Sequence, residues 1–183
     1  GAVNFAADVT FADGADIITA SAGTSNVRVG VNAGNSIESG GNYNVAIGDE
    51  AGTAITTGDE NTVVGYQAGD AITTGGSNTG FGRSALGSTT TAVSNTAVGR
   101  SALSTNSTGD QNTSVGRSSL GANTTGASNV AVGFNALDAN TTANANVAVG
   151  YSSLGANTTG TSNVALGYEA MLTNTTADNN TAV

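Results

Sequence analysis

Seven side chains that could bind a ligand recur along the chain at one fixed spacing. They are arginines and aromatic residues set seventeen residues apart: Tyr66, Arg83, Arg100, Arg117, Phe134, Tyr151 and Tyr168. If the chain stacks at that spacing, they form one column in which rings stack on guanidinium groups. The simpler interpretation is an exposed ridge of solvated charges. The sharper hypothesis is a receptor-contact stripe for an anionic surface glycan, with the aromatic rings lying against sugar.

The residues that most often carry catalysis are missing. The chain has no His and no Cys, so the usual general base and thiol nucleophile are absent. Its 27 glycines recur unit by unit and precede no helix, unlike a phosphate-binding loop. The paired carboxylates Asp49–Glu50 and Asp59–Glu60 occupy variable positions of the repeat. We therefore predict that the protein is not an enzyme and that it has no catalytic, cofactor or metal site.

Composition narrows the range of partners. The 183 residues carry a formal charge of −9, and Lys and Arg together number only four. This composition argues against a nucleic-acid partner. No run is apolar enough to span a bilayer, so membrane insertion is not expected. Only 9% of the residues are charged, yet a strict period argues against a disordered chain.

A seventeen-residue unit organises residues 26–183. Each unit opens on an asparagine; the first step is eighteen residues and the later steps are seventeen, at Asn26, Asn44, Asn61, Asn78, Asn95, Asn112, Asn129, Asn146, Asn163 and Asn180. A fixed short period is the signature of a stacked-repeat fold, and seventeen residues suffice only for two or three short strands with turns. We predict an all-β parallel β-solenoid of the β-roll type. Nine full coils and a truncated tenth would make a rod roughly 40 Å long, and the truncated last unit suggests a segment of a longer chain.

Residues 1–25 do not fit this register. They alternate in a β-like manner around Asp13–Gly14, so we predict an N-terminal β lead-in that caps the solenoid. Three aspartates there lack the spacing and closing glutamate of a calcium loop and are interpreted as solvated turn carboxylates: Asp8, Asp13 and Asp16.

The pattern inside one unit, counted from its asparagine as position one, predicts which side chains face inwards. Positions two and four are β-branched or apolar, as in Val147 and Val149, and are expected to share the interior face of a strand. Position three is nearly always small, which indicates that something packs closely against the opposite face. Positions nine and twelve exchange a large aliphatic residue between coils, as in Gly52 with Ile55 and Leu103 with Asn106, so both should face the interior. The asparagines at position twelve should then stack and hydrogen-bond between coils.

Two further columns follow from the register. Glycine at position five, and often at position fifteen, suits corners with unusual backbone angles. Paired threonines at positions thirteen and fourteen raise an ice-binding alternative, although only one of two adjacent ranks can face outwards in a β structure. Threonines that stack well in a parallel sheet are the simpler interpretation.

The repeat resembles known fibre sequences. NTAVGRSAL, NVAVGFNALDANTTA and NVAVGYSSLGANTTGTS are similar to repeats of phage tail-fibre proteins. They are more distantly similar to head repeats of trimeric autotransporter adhesins, whose Val-Ala-Ile-Gly pentad recurs at a shorter period. Both resemblances imply a non-enzymatic homotrimer of parallel β coils, intertwined or side by side, on a virion tail fibre or on a bacterial surface.

A trimer also suits the small position-three face, because small residues allow close approach of chains around a symmetry axis. We predict this face as the trimer contact: Ala46, Ala97, Ala131, Ala148 and Ala165. The expected function is a structural shaft of a phage tail fibre that holds a receptor-binding tip away from the particle, with other fibre or baseplate proteins as partners. The alternatives are a trimeric adhesin head that binds host glycan or protein directly, and an ice-binding rod.

Overall fold

The computed structural model describes residues 22–183, and these form a β-solenoid. Ten short strands pair in parallel, each with the next along the chain, in one sheet of sequential order. The strands are β1 (Val27–Val29), β2 (Val45–Ile47), β3 (Thr62–Val64), β4 (Thr79–Phe81), β5 (Thr96–Val98), β6 (Thr113–Val115), β7 (Val130–Val132), β8 (Val147–Val149), β9 (Val164–Leu166) and β10 (Thr181–Ala182). The predicted parallel β-solenoid is confirmed for these residues, but each coil contains one short strand rather than the two or three expected from its length. The predicted lead-in at 1–25 lies almost wholly outside them.

Each coil is closed within one chain by residues in left-handed backbone conformations. Glycine at position five has φ between 126° and 136°, as in Gly48 and Gly133. Positions seven, nine and seventeen also have positive φ, and leucine at position nine lies at 47° to 59°. In the seventeen-residue coils, glycine at position fifteen behaves differently. It has no positive φ and instead lies against the backbone of the next coil, where a Cβ on Gly58 would fall 2.2 Å from the Gly75 oxygen. The prediction of unusual angles was therefore correct at position five and wrong at position fifteen.

The strand faces are the reverse of the sequence prediction. In β2 to β9 the central residue, position three, is buried, and its neighbours at positions two and four are half-buried or exposed. Where leucine or methionine occupies position nine, the space behind the strand is too narrow for a valine, because that large side chain already fills it. A Cβ added to Gly80, for example, would meet Leu86 Cδ1 at 3.1 Å. Small residues at position three thus face the core, and the bulky ones face outwards.

The core is a column of small residues packed against one large aliphatic residue per coil. Leu103 and Ile55, which occupy positions nine and twelve, are both fully buried, so the prediction that these two positions share the interior is confirmed. Coils with isoleucine at position twelve and coils with leucine at position nine form separate clusters. One contains isoleucines from residues 37 to 72, and the other contains leucines from residues 86 to 154.

The two clusters meet in the coil that begins at Asn78. Its position three is Gly80, and its position twelve is Thr89, whose hydroxyl is the one buried side-chain oxygen in residues 22–183 without a hydrogen-bond partner. One coil earlier, Val63 fills the space left by glycine at position nine, since a Cβ on Gly69 would lie 2.6 Å from Val63 Cγ1. The side-chain volume in the core stays similar across the junction, because the large side chain shifts from one position of the repeat to another.

Candidate functional site

The predicted stripe at position six exists as a column on the surface of the rod. Phe134, Tyr151 and Tyr168 stack in sequence, with ring centroids 5.3 and 5.1 Å apart and interplanar angles of 10° and 8°. The guanidinium of Arg117 lies 5.5 Å from the Phe134 centroid, and that of Arg83 lies 5.9 Å from the Tyr66 centroid. The strand that ends at position four and the glycine corner at position five set every member of this column at the same place in its coil.

The stacking changes what the aromatic members can do. Rings that face each other along the rod cover their own faces, so only the edges of a ring such as Tyr151 are presented sideways. The expectation that these rings lie flat against sugar is therefore not supported between coils. The rings of Phe134, Tyr151 and Tyr168 instead stack on one another. Tyr66 and Phe134 lie at the two ends of the arginine segment.

The predicted trimer-contact face is wrong. Ala46, Ala97, Ala131, Ala148 and Ala165 are each 0% exposed within one chain. They pack with the leucine and isoleucine core, and no surface remains on them for another chain.

A different face of the strands is unpartnered. Positions two and four of β1 to β9 carry only Val, Ile, Leu, Phe and Thr, and they form an outward sheet face without a charged residue. Phe81 is 55% exposed and Val29 54%, with Val98, Val149 and Leu166 at 36 to 38%. A soluble protein seldom leaves so continuous an apolar surface exposed unless something binds it.

Buried asparagines form two ladders along the rod, and only one of these was predicted from the sequence. At position one, each side-chain oxygen accepts the backbone N–H of the next opening asparagine, as from Asn112 to Asn95 at 2.9 Å and from Asn129 to Asn112 at 3.0 Å. We call this column the first ladder. The second ladder, at position twelve, links Asn106, Asn123, Asn140, Asn157 and Asn174 through side-chain amides at 2.8 to 3.3 Å.

The second ladder confirms the prediction of stacked amides, whereas the structural role of the first ladder was missed. The signal was present, because an invariant polar residue at a fixed phase is hard to explain on a solvated surface. The two ladders share acceptors at position fifteen: the Gly126 carbonyl accepts from both Asn112 and Asn123, at 2.8 and 2.9 Å. Both ladders are structural.

The threonine ranks separate as predicted. Position thirteen is part-buried, and its hydroxyls donate to the carbonyl one coil on, as from Thr73 to Thr90 and from Thr124 to Thr141 at 3.1 and 3.0 Å. Position fourteen is exposed throughout residues 57 to 176. Only one rank of free hydroxyls therefore remains.

Other kinds of site find no support within residues 22–183. No group of three or more carboxylates, histidines or cysteines there could hold a metal ion, and no helix there is long and apolar enough to cross a membrane. A cavity of about 500 Å³ lies at the open end of the last coil, beside Met171 and Asn174.

Comparison of the chain with protein-family models, with curated proteins and with solved structures found no match. The resemblance to tail-fibre and adhesin repeats therefore stays a prediction. Function has to be argued from the geometry of the outward sheet face and of the position-six column.

Asp138, at position ten, gives the rod a modest pH dependence. Burial raises the pKa of its carboxyl above 3.8, although hydrogen bonds from the backbone at Asp138 and Ala139 partly oppose this. Because the folded state favours the neutral acid, its contribution to stability is present below the unfolded pKa and is lost as the pH rises through the folded value. We expect Asp138→Asn to raise the melting temperature at neutral pH but not near pH 3. An equal gain at both pH values would attribute the effect to packing rather than to ionisation.

Proposed function

We propose that this chain is the shaft segment of a trimeric fibre, of the kind found in phage tail fibres, in which the outward sheet face joins the three copies. The observation that carries the proposal is that face: apolar, charge-free and continuous from β1 to β9. Its role would be mechanical, to hold a receptor-binding tip away from the particle, with other fibre or baseplate proteins at its ends.

The size of the face sets the scale of the contact. Nine rungs at about 4.8 Å give a length near 40 Å, and a strip that covers positions two to four, short of the position-six column, is about 10 Å wide. The resulting footprint of roughly 400 Å² is about half of the roughly 800 Å² that each partner buries in a standard interface. A second copy offers the same repeat pitch, so every rung of one chain can meet an equivalent rung of another around a symmetry axis.

The fold supports one form of assembly over another. Every strand between β1 and β10 pairs with its own chain on both sides, and each described coil closes its own core. This arrangement favours three rods side by side over intertwined chains. The number three comes from the resemblance to fibre repeats, and a measurement of mass tests it directly.

The test is the solution mass of the 183-residue chain and of two glutamate variants. We expect the wild type near three times 17.6 kDa by light scattering. The double variant Val98→Glu/Val149→Glu should fall to the mass of one chain with an unchanged circular dichroism spectrum, since both side chains already reach solvent and a charge there blocks apolar contact.

Val93→Glu is the matched control, because Val93 is 40% exposed but lies at position sixteen, away from the strands. It should keep the wild-type mass. A wild type that is monomeric at all concentrations, or a double variant that assembles normally, would rule out the outward sheet face as the interface.

The adhesin and ice-binding alternatives have their own assays. An adhesin head requires the isolated chain to bind host cells, and an ice-binding rod requires thermal hysteresis. The single exposed threonine rank at position fourteen gives the second alternative little surface.

A further inference from the structure

We propose that Arg83, Arg100 and Arg117 form a binding site for a linear anionic polysaccharide that lies along the rod axis and carries sulfate or carboxylate groups. The proposal concerns the arginine segment of the position-six column alone. It does not depend on the oligomeric state.

Charge along the rod is segregated. Between residues 71 and 137 there are three arginines and a single acidic residue, Asp110, in a chain whose net charge is −9. Three of the four basic residues thus lie in consecutive coils of one column. A cationic band of this kind within an acidic rod attracts an anion locally while the rest of the surface repels it.

No carboxylate within residues 22–183 forms an ion pair with any of the three guanidinium groups, and all three side chains are exposed. Asp110 is at position sixteen, and one of its carboxylate oxygens accepts the Val93 N–H at 2.8 Å. The donors of the arginine fork are therefore available to a ligand.

The column holds its charges close together. Adjacent coils are about 4.8 Å apart, so Arg100 has a positive neighbour on each side at a distance where like charges repel. Arg83 and Arg117 turn towards the rings of Tyr66 and Phe134, whereas Arg100 has no ring contact. An anion that bridges the three coils would relieve this repulsion.

Each arginine is followed by a serine in the same conformation. Ser84, Ser101 and Ser118 have φ of 54°, 56° and 56°, and they repeat a Gly-Arg-Ser triplet in three successive coils. Each triplet therefore carries a neutral hydroxyl donor on the residue that follows its arginine. A ligand with regularly spaced acid groups can thus make one equivalent contact per coil, which favours a polymer over a single small ion.

The experiment measures binding of the full chain to dextran sulfate and to a carboxylated polysaccharide, with neutral dextran as the blank. We expect binding at about 50 mM salt that weakens steeply towards about 300 mM, because the contacts are ionic. Arg100→Gln should weaken binding about tenfold, the effect of losing one charge-assisted contact. Replacing all three arginines with glutamine should abolish binding.

Thr142→Asp is the charge-matched control: it changes the net charge by the same −1 but lies in the exposed rank at position fourteen, so binding should stay within about twofold of wild type. A second readout separates binding from folding. Without ligand and at low salt, Arg100→Gln should melt at a higher temperature than wild type, because it removes repulsion between coils. The polyanion should raise the melting temperatures of the wild type and of Thr142→Asp more than that of Arg100→Gln.

Several outcomes would overturn the proposal. They are no binding at low salt, equal binding of neutral dextran, and equal loss of binding in Thr142→Asp and Arg100→Gln. Tighter binding of single-stranded DNA than of either anionic polysaccharide would overturn the assignment of the ligand class.

Discussion

Gly99→Ala is expected to destabilise the rod by about 4 kcal/mol or more, enough to break the solenoid at its middle. Gly99 has φ of +132°, which a residue with a side chain rarely adopts. Its Cβ would also lie 2.7 Å from the carbonyl carbon and oxygen of Gly116 in the next coil. Neither problem can be relieved locally, because the neighbour is backbone that is itself fixed by pairing between coils.

Denaturant unfolding of Gly99→Ala measures this loss. In a stacked-repeat protein each unit is stabilised by its neighbours, so a damaged middle coil should also split the transition into two phases. Hydrogen exchange would then show loss of protection first around β5 and β6. A single transition at the wild-type midpoint would contradict the role assigned to position five.

Gly87→Ala is the matched control, since it adds the same methyl group at position ten, where φ is not positive. A Cβ there would lie 3.3 Å from the Ser84 oxygen, a close contact without overlap. Ser104 already occupies position ten in the next coil. We therefore expect a much smaller loss than for Gly99→Ala.

Asn112→Ala is expected to cost about 2–4 kcal/mol, because the first ladder passes through this residue. The substitution removes the oxygen that accepts the Asn129 backbone N–H at 3.0 Å and its side-chain amide at 3.1 Å. It also removes one of the two donors to the Gly126 carbonyl. The Asn129 N–H is then buried without a partner, and water cannot replace the lost oxygen.

Asn144→Ala removes a bond of the same kind at the surface. The Asn144 side-chain oxygen accepts the Ala127 backbone N–H from the neighbouring coil at 2.7 Å, and both groups can reach solvent. Its cost should stay below about 1 kcal/mol, since water can take the place of the side chain. Equal losses for the two variants by denaturant unfolding would show that burial of the first ladder contributes nothing.

The fold could be predicted because the solenoid repeats its constraints at a fixed phase. Asparagine at position one and glycine at position five are needed in every coil, and their spacing reveals the period without any knowledge of the strands. The exchange of large residues between Ile55 and Leu103 likewise identified two interior positions, since only a shared space explains it.

The strand faces could not be predicted from the rule that large side chains face the core and small ones face outwards. The rule fails here because the cross-section is so narrow that a Leu or Ile from the opposite wall reaches the strand. Only alanine, glycine or serine then fits at most position-three sites, and Val63 fits because Gly69 lies opposite. The width of the coil is set by the turns at positions seven, nine and seventeen, whose left-handed conformations at residues such as Leu103 leave no sequence signature.

The sequence predicted that the candidate site forms a column, but it did not predict the contacts between the side chains within that column. The seventeen-residue spacing placed Tyr66 to Tyr168 in one line. It did not show that the rings of Phe134 and Tyr151 cover each other's faces, or that Arg100 is left between two like charges without a ring. These features depend on side-chain direction at a corner, which a period does not specify.

The eighteen-residue first coil shows where this architecture tolerates a change of length. Asn26 donates to the Gly41 carbonyl at 2.8 Å, whereas Asn44 donates to Gly58, so the extra residue is accommodated before Gly41, in the exposed turn at 38–40. An inserted residue at a position whose backbone pairs with both neighbouring coils would instead disturb this register. A whole additional coil of seventeen residues, by contrast, extends both ladders and the sheet without changing any contact within a coil. The length of the rod is therefore set by the number of its repeats.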